Sequence, residues 1–211
     1  MPRTSLGRDG RGCAVPPYTD RRVDEARERA TGLLVAAQNG DPGSEEQLFV
    51  ALYDELKRIA GSLLGEERAN HTLQPTALVH EAWLRLIDAR EAGPEGRGRF
   101  LGLAARAMRR ILVEHARARQ RLKRGGEWRR VDMAAEVVDP GAEREILAID
   151  GELEVLAGLS ERQARIVEMR YFTGLSLEEV AEALGLSTRT VEREWRFARA
   201  WLDDRLARSE P

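Results

Sequence analysis

The chain has 211 residues, of which 42% are hydrophobic and 33% are charged, and its formal net charge is −2. This composition is typical of a soluble globular protein with one or two small domains. Its single cysteine, Cys13, excludes an internal disulfide, and no apolar run reaches the length of a membrane span or a signal segment, so we expect a cytoplasmic protein that is neither secreted nor membrane-embedded.

The pattern of apolar residues predicts an all-α protein, because no stretch alternates apolar and polar residues over the length of a strand. Residues 1–22 mix Gly, Pro, Arg and Thr without periodicity and are predicted to form a disordered tail. An amphipathic helix is predicted over residues 23–39, with Gly40 as its stop, and a second helix begins at Ser44. We interpret these two helices as scaffold.

A third helix is predicted over residues 72–87, with Pro75 in its first turn, where the missing amide hydrogen is not needed. Its apolar side chains form a band wide enough for both a core and a docking surface, and His80, Glu81 and Arg85 lie on the remaining face. A plain core helix with a polar exterior is the simpler alternative. No second histidine follows His80 and Glu81 at the spacing that zinc needs, so we predict no metal site and no cofactor.

A long basic helix is predicted from about residue 99 to residue 123. Residues 97–130 contain twelve Lys or Arg and two acids, so the rest of the chain carries a surplus of acids. At about 100° per residue, six arginines share one narrow stripe. They are Arg99, Arg106, Arg110, Arg117, Arg121 and Arg124. Because aligned like charges repel, the stripe indicates a phosphate backbone as the missing counter-charge, with an incidental solvated face as the alternative.

The last part of the chain is predicted to be a separate helical domain. Residues 125–142 begin with two glycines, lack periodicity and are predicted to be a flexible linker, which leaves residues 143–208 as a compact unit. Inside this unit, Ser176 and Glu179 form a capping box and Gly185 ends a short helix, after which Ser187 caps a longer one. These signals predict a helix-turn-helix.

The second helix of this motif has one apolar face and one polar face. The polar face consists of Arg189, Glu192, Arg193, Arg196 and Arg199. Long hydrogen-bonding side chains on such a face can enter a major groove, whereas an ordinary helical hairpin with a solvated face is the alternative.

The order of helical domain, Arg-rich helix, linker and helix-turn-helix resembles the bacterial RNA polymerase sigma factors of the extracytoplasmic-function (ECF) type. The likeness covers residues 28–204, and it is most specific in the segment Leu-Gln-Pro-Thr-Ala-Leu-Val-His-Glu-Ala-Trp-Leu-Arg-Leu at residues 73–86. It implies that residues 23–124 are sigma region 2 and that residues 143–208 are sigma region 4.

The resemblance also implies roles for individual residues in a non-catalytic subunit that binds core RNA polymerase and directs initiation at promoters. The implied contacts with the clamp helices of the β′ subunit are Leu78, His80, Glu81, Trp83 and Ile87. The implied contacts with the −10 element are Arg97, Arg99, Phe100, Arg106, Arg110, Arg117 and Arg121. The implied contacts with the −35 element are Thr188, Arg189, Thr190, Glu192, Arg193, Arg196 and Arg199. Region 4 would also touch the β flap, and anti-sigma factors commonly regulate the broad family.

Two other classes of protein remain as alternatives. A DNA-binding regulator of the response-regulator output type would need an acidic phospho-acceptor pocket on an α/β receiver domain, which the sequence lacks. A DNA recombinase would need a catalytic Ser or Tyr set among arginines, and Tyr18, Tyr53 and Tyr171 have no such setting.

Overall fold

The computed structural model describes residues 21–64, 74–88, 96–123 and 140–209. All regular elements in these ranges are helical, which confirms the all-α prediction. The elements are α1 (Arg21–Gln38), α2 (Ser44–Leu64), α3 (Pro75–Asp88), α4 (Gly96–Lys123), α5 (Pro140–Leu159), α6 (Glu161–Val167), a π-helical turn (Glu168–Phe172), α7 (Leu177–Leu184) and α8 (Thr188–Ser209). We call α1 to α4 the first half and α5 to α8, with the π-helical turn, the second half.

The first half is built around α4. One face of α4 is fully buried, including Leu101, Met108 and Ile111, and α1, α2 and α3 all pack against this helix. α4 begins at Gly96, three residues before the predicted start, and the extra turn includes Arg97, whose guanidinium donates to Glu55 of α2 at 2.6 Å. The glycine-rich composition of this stretch favours a loop, and the ion pair stabilises it as a helix.

The second half has the local signals that the sequence predicted. Ser176 Oγ accepts from the backbone N–H of Glu179 at 3.1 Å, and Glu179 Oε2 accepts from the N–H of Ser176 at 2.7 Å, which completes the capping box of α7. Gly185 ends α7 with φ of 64° in the left-handed region. Ser187 Oγ accepts from the N–H of Thr190 at 3.2 Å and caps α8. The predicted helix-turn-helix is therefore present.

The two halves share one hydrophobic core. α4 packs directly on α5, on the π-helical turn and on α7, and the buried residues of both halves form a single cluster. The sequence indicated two units with a linker between them but did not indicate this contact. Residues 1–20 of the predicted tail (1–22), residues 125–139 of the predicted linker (125–142) and Arg124 lie outside the described residues. Residues 21–22 and 140–142 are helical, because α1 and α5 begin earlier than the sequence predicted. Within the described ranges, no helix has the length and apolarity needed to cross a membrane.

We expect Gly185→Ala to destabilise the chain by about 1–2 kcal/mol, because an L-residue with a side chain is strained in the left-handed conformation. Gly151→Ala is the matched control, because Gly151 lies inside α5 and an added Cβ meets no atom within 4 Å at either position. That control should instead stabilise by about 0.5–1 kcal/mol. Urea unfolding of the two variants measures both values, and a loss of equal size in both would contradict the assigned role of Gly185.

Candidate nucleic-acid and polymerase interfaces

The second helix of the helix-turn-helix, α8, presents the polar face that the sequence predicted. Val191, Ala198 and Leu202 are buried against the rest of the second half, whereas the side chains of Arg193 and Arg196 are 73% and 75% exposed. A shallow depression on this face is lined by Ser187, Arg189, Thr190, Glu192, Arg193 and Arg196. Thr188 stands at the first position of α8, and Arg199 lies about three turns further along, in reach of Asp203 at 3.8 Å. The structure thus brings the predicted −35 residues onto one helix face.

Glu194 anchors this helix and was not singled out from the sequence. Its side chain is only 8% exposed, and its carboxylate accepts from Gln163 Nε2 at 2.7 Å and from Arg162 Nη2 at 2.9 Å. The hydrogen bond from Gln163, followed by the charge of Arg162, lowers the pKa of Glu194. Glu194 lies three residues after Val191 and four before Ala198, and this spacing on the buried stripe is the signal that could have identified it.

The basic stripe of α4 is divided between solvent and the second half. Arg110 and Arg121 are exposed, whereas the Arg117 guanidinium donates to Asp150 of α5 at 3.2 Å. Arg106, Arg110 and Arg117 line a cleft of about 410 Å³ between α4 and the second half. Arg99 is half-buried at the start of α4. Acids on the far wall of the cleft, among them Asp150, therefore supply part of the counter-charge that the sequence of α4 lacks.

Two of the predicted −10 residues are occupied by contacts within the chain. The side chain of Arg97 is 12% exposed, because its guanidinium pairs with Glu55 at 2.6 Å and with Glu179 at 3.2 Å. Phe100 is 4% exposed, and its ring packs edge-on against Trp83 with 5.8 Å between the ring centroids. In this conformation neither side chain faces a nucleic acid.

Arg109 is a second residue that sequence reasoning missed. It is buried on α4 and donates to Asp150 and, at 2.6 Å, to Glu168 of the π-helical turn. Burial raises the pKa of Asp150, against the attraction of the Arg109 guanidinium. No local signal could have identified this cluster, because its acids lie 41 and 59 residues away along the chain.

The predicted polymerase-docking helix α3 has a mixed surface. Leu78 is fully buried, Glu81, Trp83 and Ile87 are half-buried, and His80 is exposed. The side chain of Leu84 is 64% exposed, although its neighbours in sequence had suggested only a polar outer face.

Aromatic and ionic contacts hold the exposed side chains of α3 in place. Phe49 of α2 packs against His80 and Trp83, with ring centroids 5.3 and 4.8 Å apart. Arg85 donates to Glu81 and to Glu114 of α4, each at 2.9 Å. α3 therefore offers an apolar side chain, Leu84, flanked by fixed polar groups.

We expect Glu194→Gln to lower the free energy of unfolding by about 1–3 kcal/mol at neutral pH, because Arg162 and Gln163 lose a charged, buried acceptor. The pKa of Glu194 is lowered in the folded state, so its contribution is complete above its ordinary pKa of 4.5 and is lost as the pH falls through the lowered value. The difference between the two proteins in urea unfolding should therefore shrink on acidification.

Glu192→Gln is the control for this prediction, because Glu192 lies on the same helix but is 52% exposed and pairs only with its neighbour Arg196. Its replacement should change stability by about 0.5 kcal/mol or less. Equal losses in the two variants at neutral pH would contradict the anchoring role of Glu194.

The chain matches the family model described as ECF sigma factor over residues 27–208. No match was found among curated proteins. Among solved structures, the chain is similar to the structure of CnrH in complex with the cytosolic domain of CnrY, with 19% sequence identity, a TM-score of 0.41 and coverage of 86% of this chain and 99% of that one. Because the family match spans most of the chain, this protein belongs to the ECF sigma factors, which bind core RNA polymerase and promoter DNA.

Proposed function

We propose that this sigma factor acts in the cytoplasm as a non-catalytic subunit that selects promoters by a −35 element read by α8 and a −10 element contacted by α4 and the segment before it. The observation that carries the proposal is the face of α8, where exposed arginines project from a helix fixed by the buried Glu194. The primary test is whether the purified chain co-elutes with core RNA polymerase and makes it initiate at a promoter that core alone ignores. Initiation without the chain, or none with it, would reject the proposal.

The −35 proposal rests on the chemistry of α8. Arginine pairs with the O6 and N7 acceptors of guanine in the major groove, and Arg193 and Arg196 lie near the middle of the exposed face. Thr188, Arg189 and Thr190 stand in the first turn of the helix, where the positive end of the helix dipole favours phosphate contacts. Glu192 holds Arg196 at 2.8 Å and would fix its direction toward the bases.

The −10 proposal divides the predicted residues into two groups. Arg99, Arg106, Arg110, Arg117 and Arg121 would meet phosphates, which gives affinity without reading sequence. Phe100, because it packs on Trp83, would hold the start of α4 in place and would not itself capture a base. Arg97 would reach DNA only after leaving Glu55 and Glu179.

The docking of α3 on the polymerase β′ clamp is proposed from its exposed side chains. His80, Glu81, Trp83 and Ile87 would contact the clamp helices, with Leu84 as an added apolar contact. Leu78 is wholly buried and would support this surface from behind. Leu84, with the half-buried Trp83 and Ile87, would form an apolar centre with a polar rim, which is the usual composition of a protein interface.

Arg193→Ala and Arg196→Ala should each weaken holoenzyme binding by about 1–3 kcal/mol at one or two base positions of the −35 element, because a bidentate pair with guanine is lost. Arg110→Ala is the control on α4 and should weaken binding to all sequences alike, while lowering the salt slope by about one. Binding of assembled holoenzyme to a set of −35 variants at several salt concentrations separates the two effects. An equal loss across every variant for both α8 substitutions would show that this helix does not read bases.

Leu84→Glu should weaken binding to core polymerase about tenfold or more, because the interface would bury an unpaired carboxylate. The helical circular dichroism and the melting temperature should stay unchanged, since the side chain is 64% exposed in the free chain. Val35→Glu on α1 is the matched control, with 40% exposure outside the proposed docking surface. If both variants bind core as the unaltered chain does, α3 does not dock through Leu84.

A further inference from the structure

The exposed face of α8 carries one aromatic side chain that stays mostly in solvent. Phe197 is 59% exposed and lies on the same helix face as Arg193 and Arg196, to which the proposed function assigns base contacts. We propose that Phe197 reads the C5 methyl group of a thymine in the −35 element and is a specificity-determining residue. This inference rests on the proposed function and adds a second kind of base that α8 selects.

The three aromatic side chains of α8 differ in what they contact. Trp195 and Trp201 are half-buried against the core, and each has a guanidinium over its ring, from Arg170 at 5.7 Å and from Arg205 at 5.2 Å. Among the residues that the structure describes, neither a ring nor a guanidinium packs on Phe197 in this way. Contacts within the chain therefore explain the two tryptophans and not Phe197.

Helix stability also gives no reason for this residue. Phenylalanine is less favourable than arginine, lysine or glutamate at an exposed helix position, and its ring gains nothing from burial while it stays in water. Single exposed apolar side chains are nevertheless common on protein surfaces. The place of Phe197 on the helix, rather than its exposure alone, therefore carries the inference.

Phe197 lies on the part of α8 that faces the proposed groove. It follows Arg193 by four residues, which places the two side chains about 40° apart around the helix axis, whereas Val191 and Ala198 belong to the buried face. Because long side chains of a helix point back toward its N-terminus, the ring extends toward the turn that carries Arg193. Ala200, an exposed residue further along the same face, is too small to cover the ring.

The thymine methyl group is the apolar feature that a major groove offers to such a ring. The groove edges of the other standard bases present hydrogen-bond donors and acceptors, and thymine adds a methyl group at C5. The arginines of α8 can bind guanine acceptors or phosphates, whereas a phenyl ring gains by burying apolar surface. Phe197 thus extends base reading by α8 from guanine to thymine.

The spacing along α8 limits where this thymine lies. Phe197 and Arg193 are separated by one helical turn, and four residues of helix span about 6 Å. Since stacked base pairs are about 3.4 Å apart, the thymine should lie within about two base pairs of the position that Arg193 reads.

A protein partner is the other chemistry that an exposed aromatic side chain could serve. The core of a protein interface brings several apolar side chains together. The other large exposed apolar residues of the described ranges all lie on elements other than α8, namely Val35, Val50, Leu84, Val155, Leu159 and Tyr171. On α8, Phe197 is accompanied by the exposed arginines Arg193 and Arg196, whose charge matches DNA. The surroundings of Phe197 therefore favour DNA as its partner.

Removal of single methyl groups from the promoter tests the assignment. Holoenzyme assembled from the full chain first selects its −35 element from duplexes in which this element is randomised. Each thymine of the selected element, on either strand, is then replaced by deoxyuridine, which lacks only the C5 methyl group. One replacement, within about two base pairs of the position whose preference Arg193→Ala relaxes, should weaken binding about fourfold, as expected when one methyl group leaves an apolar contact.

Phe197→Ala should abolish this difference between thymine and deoxyuridine. Its holoenzyme should bind the two duplexes equally, and both at least about fourfold more weakly than the unaltered holoenzyme binds the thymine duplex. Phe197→Leu keeps an apolar side chain and should retain part of the difference. Both variants should keep the melting temperature of the unaltered chain, because the side chain is 59% exposed.

Leu159→Ala is the matched control for these variants. Leu159 is also a large apolar residue of the second half, and it is 69% exposed on α5, away from the face of α8. The holoenzyme with this substitution should retain the full difference between thymine and deoxyuridine. Loss of the difference in the control would overturn the assignment to Phe197.

The outcomes separate this inference from the proposed function. If no element is selected, or if Arg193→Ala and Arg196→Ala relax no base preference, α8 does not read bases and both proposals fail. If the arginine variants do relax preferences, three results overturn the role of Phe197 alone. These are a selected element without a thymine in reach, deoxyuridine that binds as well as thymine at every position, and a Phe197→Ala holoenzyme that still distinguishes the two.

Binding to core polymerase without DNA provides the remaining comparison. Phe197→Ala should bind core polymerase as the unaltered chain does, and a weaker complex would assign the ring to a protein contact and overturn the proposal. If Phe197→Ala fails to fold, the deoxyuridine scan of the unaltered holoenzyme together with Phe197→Leu still decides it.

Discussion

The burial of Arg109 is the constraint on which the arrangement of this chain depends. A guanidinium cannot be taken out of water without acids to match it, so α5 and the π-helical turn must lie where Asp150 and Glu168 reach α4. The π-helical turn contributes two neighbouring side chains to this site. Glu168 completes the ion cluster and Met169 packs on Gly102, so charge and shape are matched at the same place. α4 consequently serves as the central helix of both halves.

The contact between α4 and the second half changes the interpretation of the charge pattern in the sequence. The basic helix and the acid surplus of the rest of the chain had indicated a protein with a local surface for polyanions. In the structure, part of that surplus lies against the basic helix, where Asp150 and Glu168 pair with Arg109 and Asp150 also pairs with Arg117. Part of the basic stripe is therefore neutralised inside the molecule, which the composition alone does not reveal.

Local features were predicted from the sequence, and long-range pairings were not. The capping box of Ser176, the end of α7 at Gly185 and the cap of α8 at Ser187 depend on residues three or four positions apart, so the sequence contains their full cause. The pairs of Arg97 with Glu55 and Glu179 join residues 42 and 82 positions apart. Because acidic residues occur throughout the chain, no spacing rule identifies Glu55 and Glu179 as the partners of Arg97.

The same difference between local and long-range contacts decides which parts of the candidate sites could be predicted from the sequence. The exposed face of α8 follows from helical periodicity, because a helix that buries Val191 and Ala198 must expose Arg193 and Arg196. The position of Phe100 depends instead on Trp83, which reaches it from another helix. Arg109 lies beside Met108 at the edge of the buried face, where periodicity alone leaves an arginine free to extend into solvent.

The two oxygens of the Glu179 carboxylate have separate partners. Oε2 accepts from the backbone N–H of Ser176 and belongs to the cap of α7, whereas Oε1 binds Arg97 and Arg27 of the first half. Moving the halves apart breaks only the bonds of Oε1, and the cap that holds α7 remains. One carboxylate thus serves two purposes at once, since the start of α7 is capped by one oxygen and the attachment of α7 to the first half uses the other.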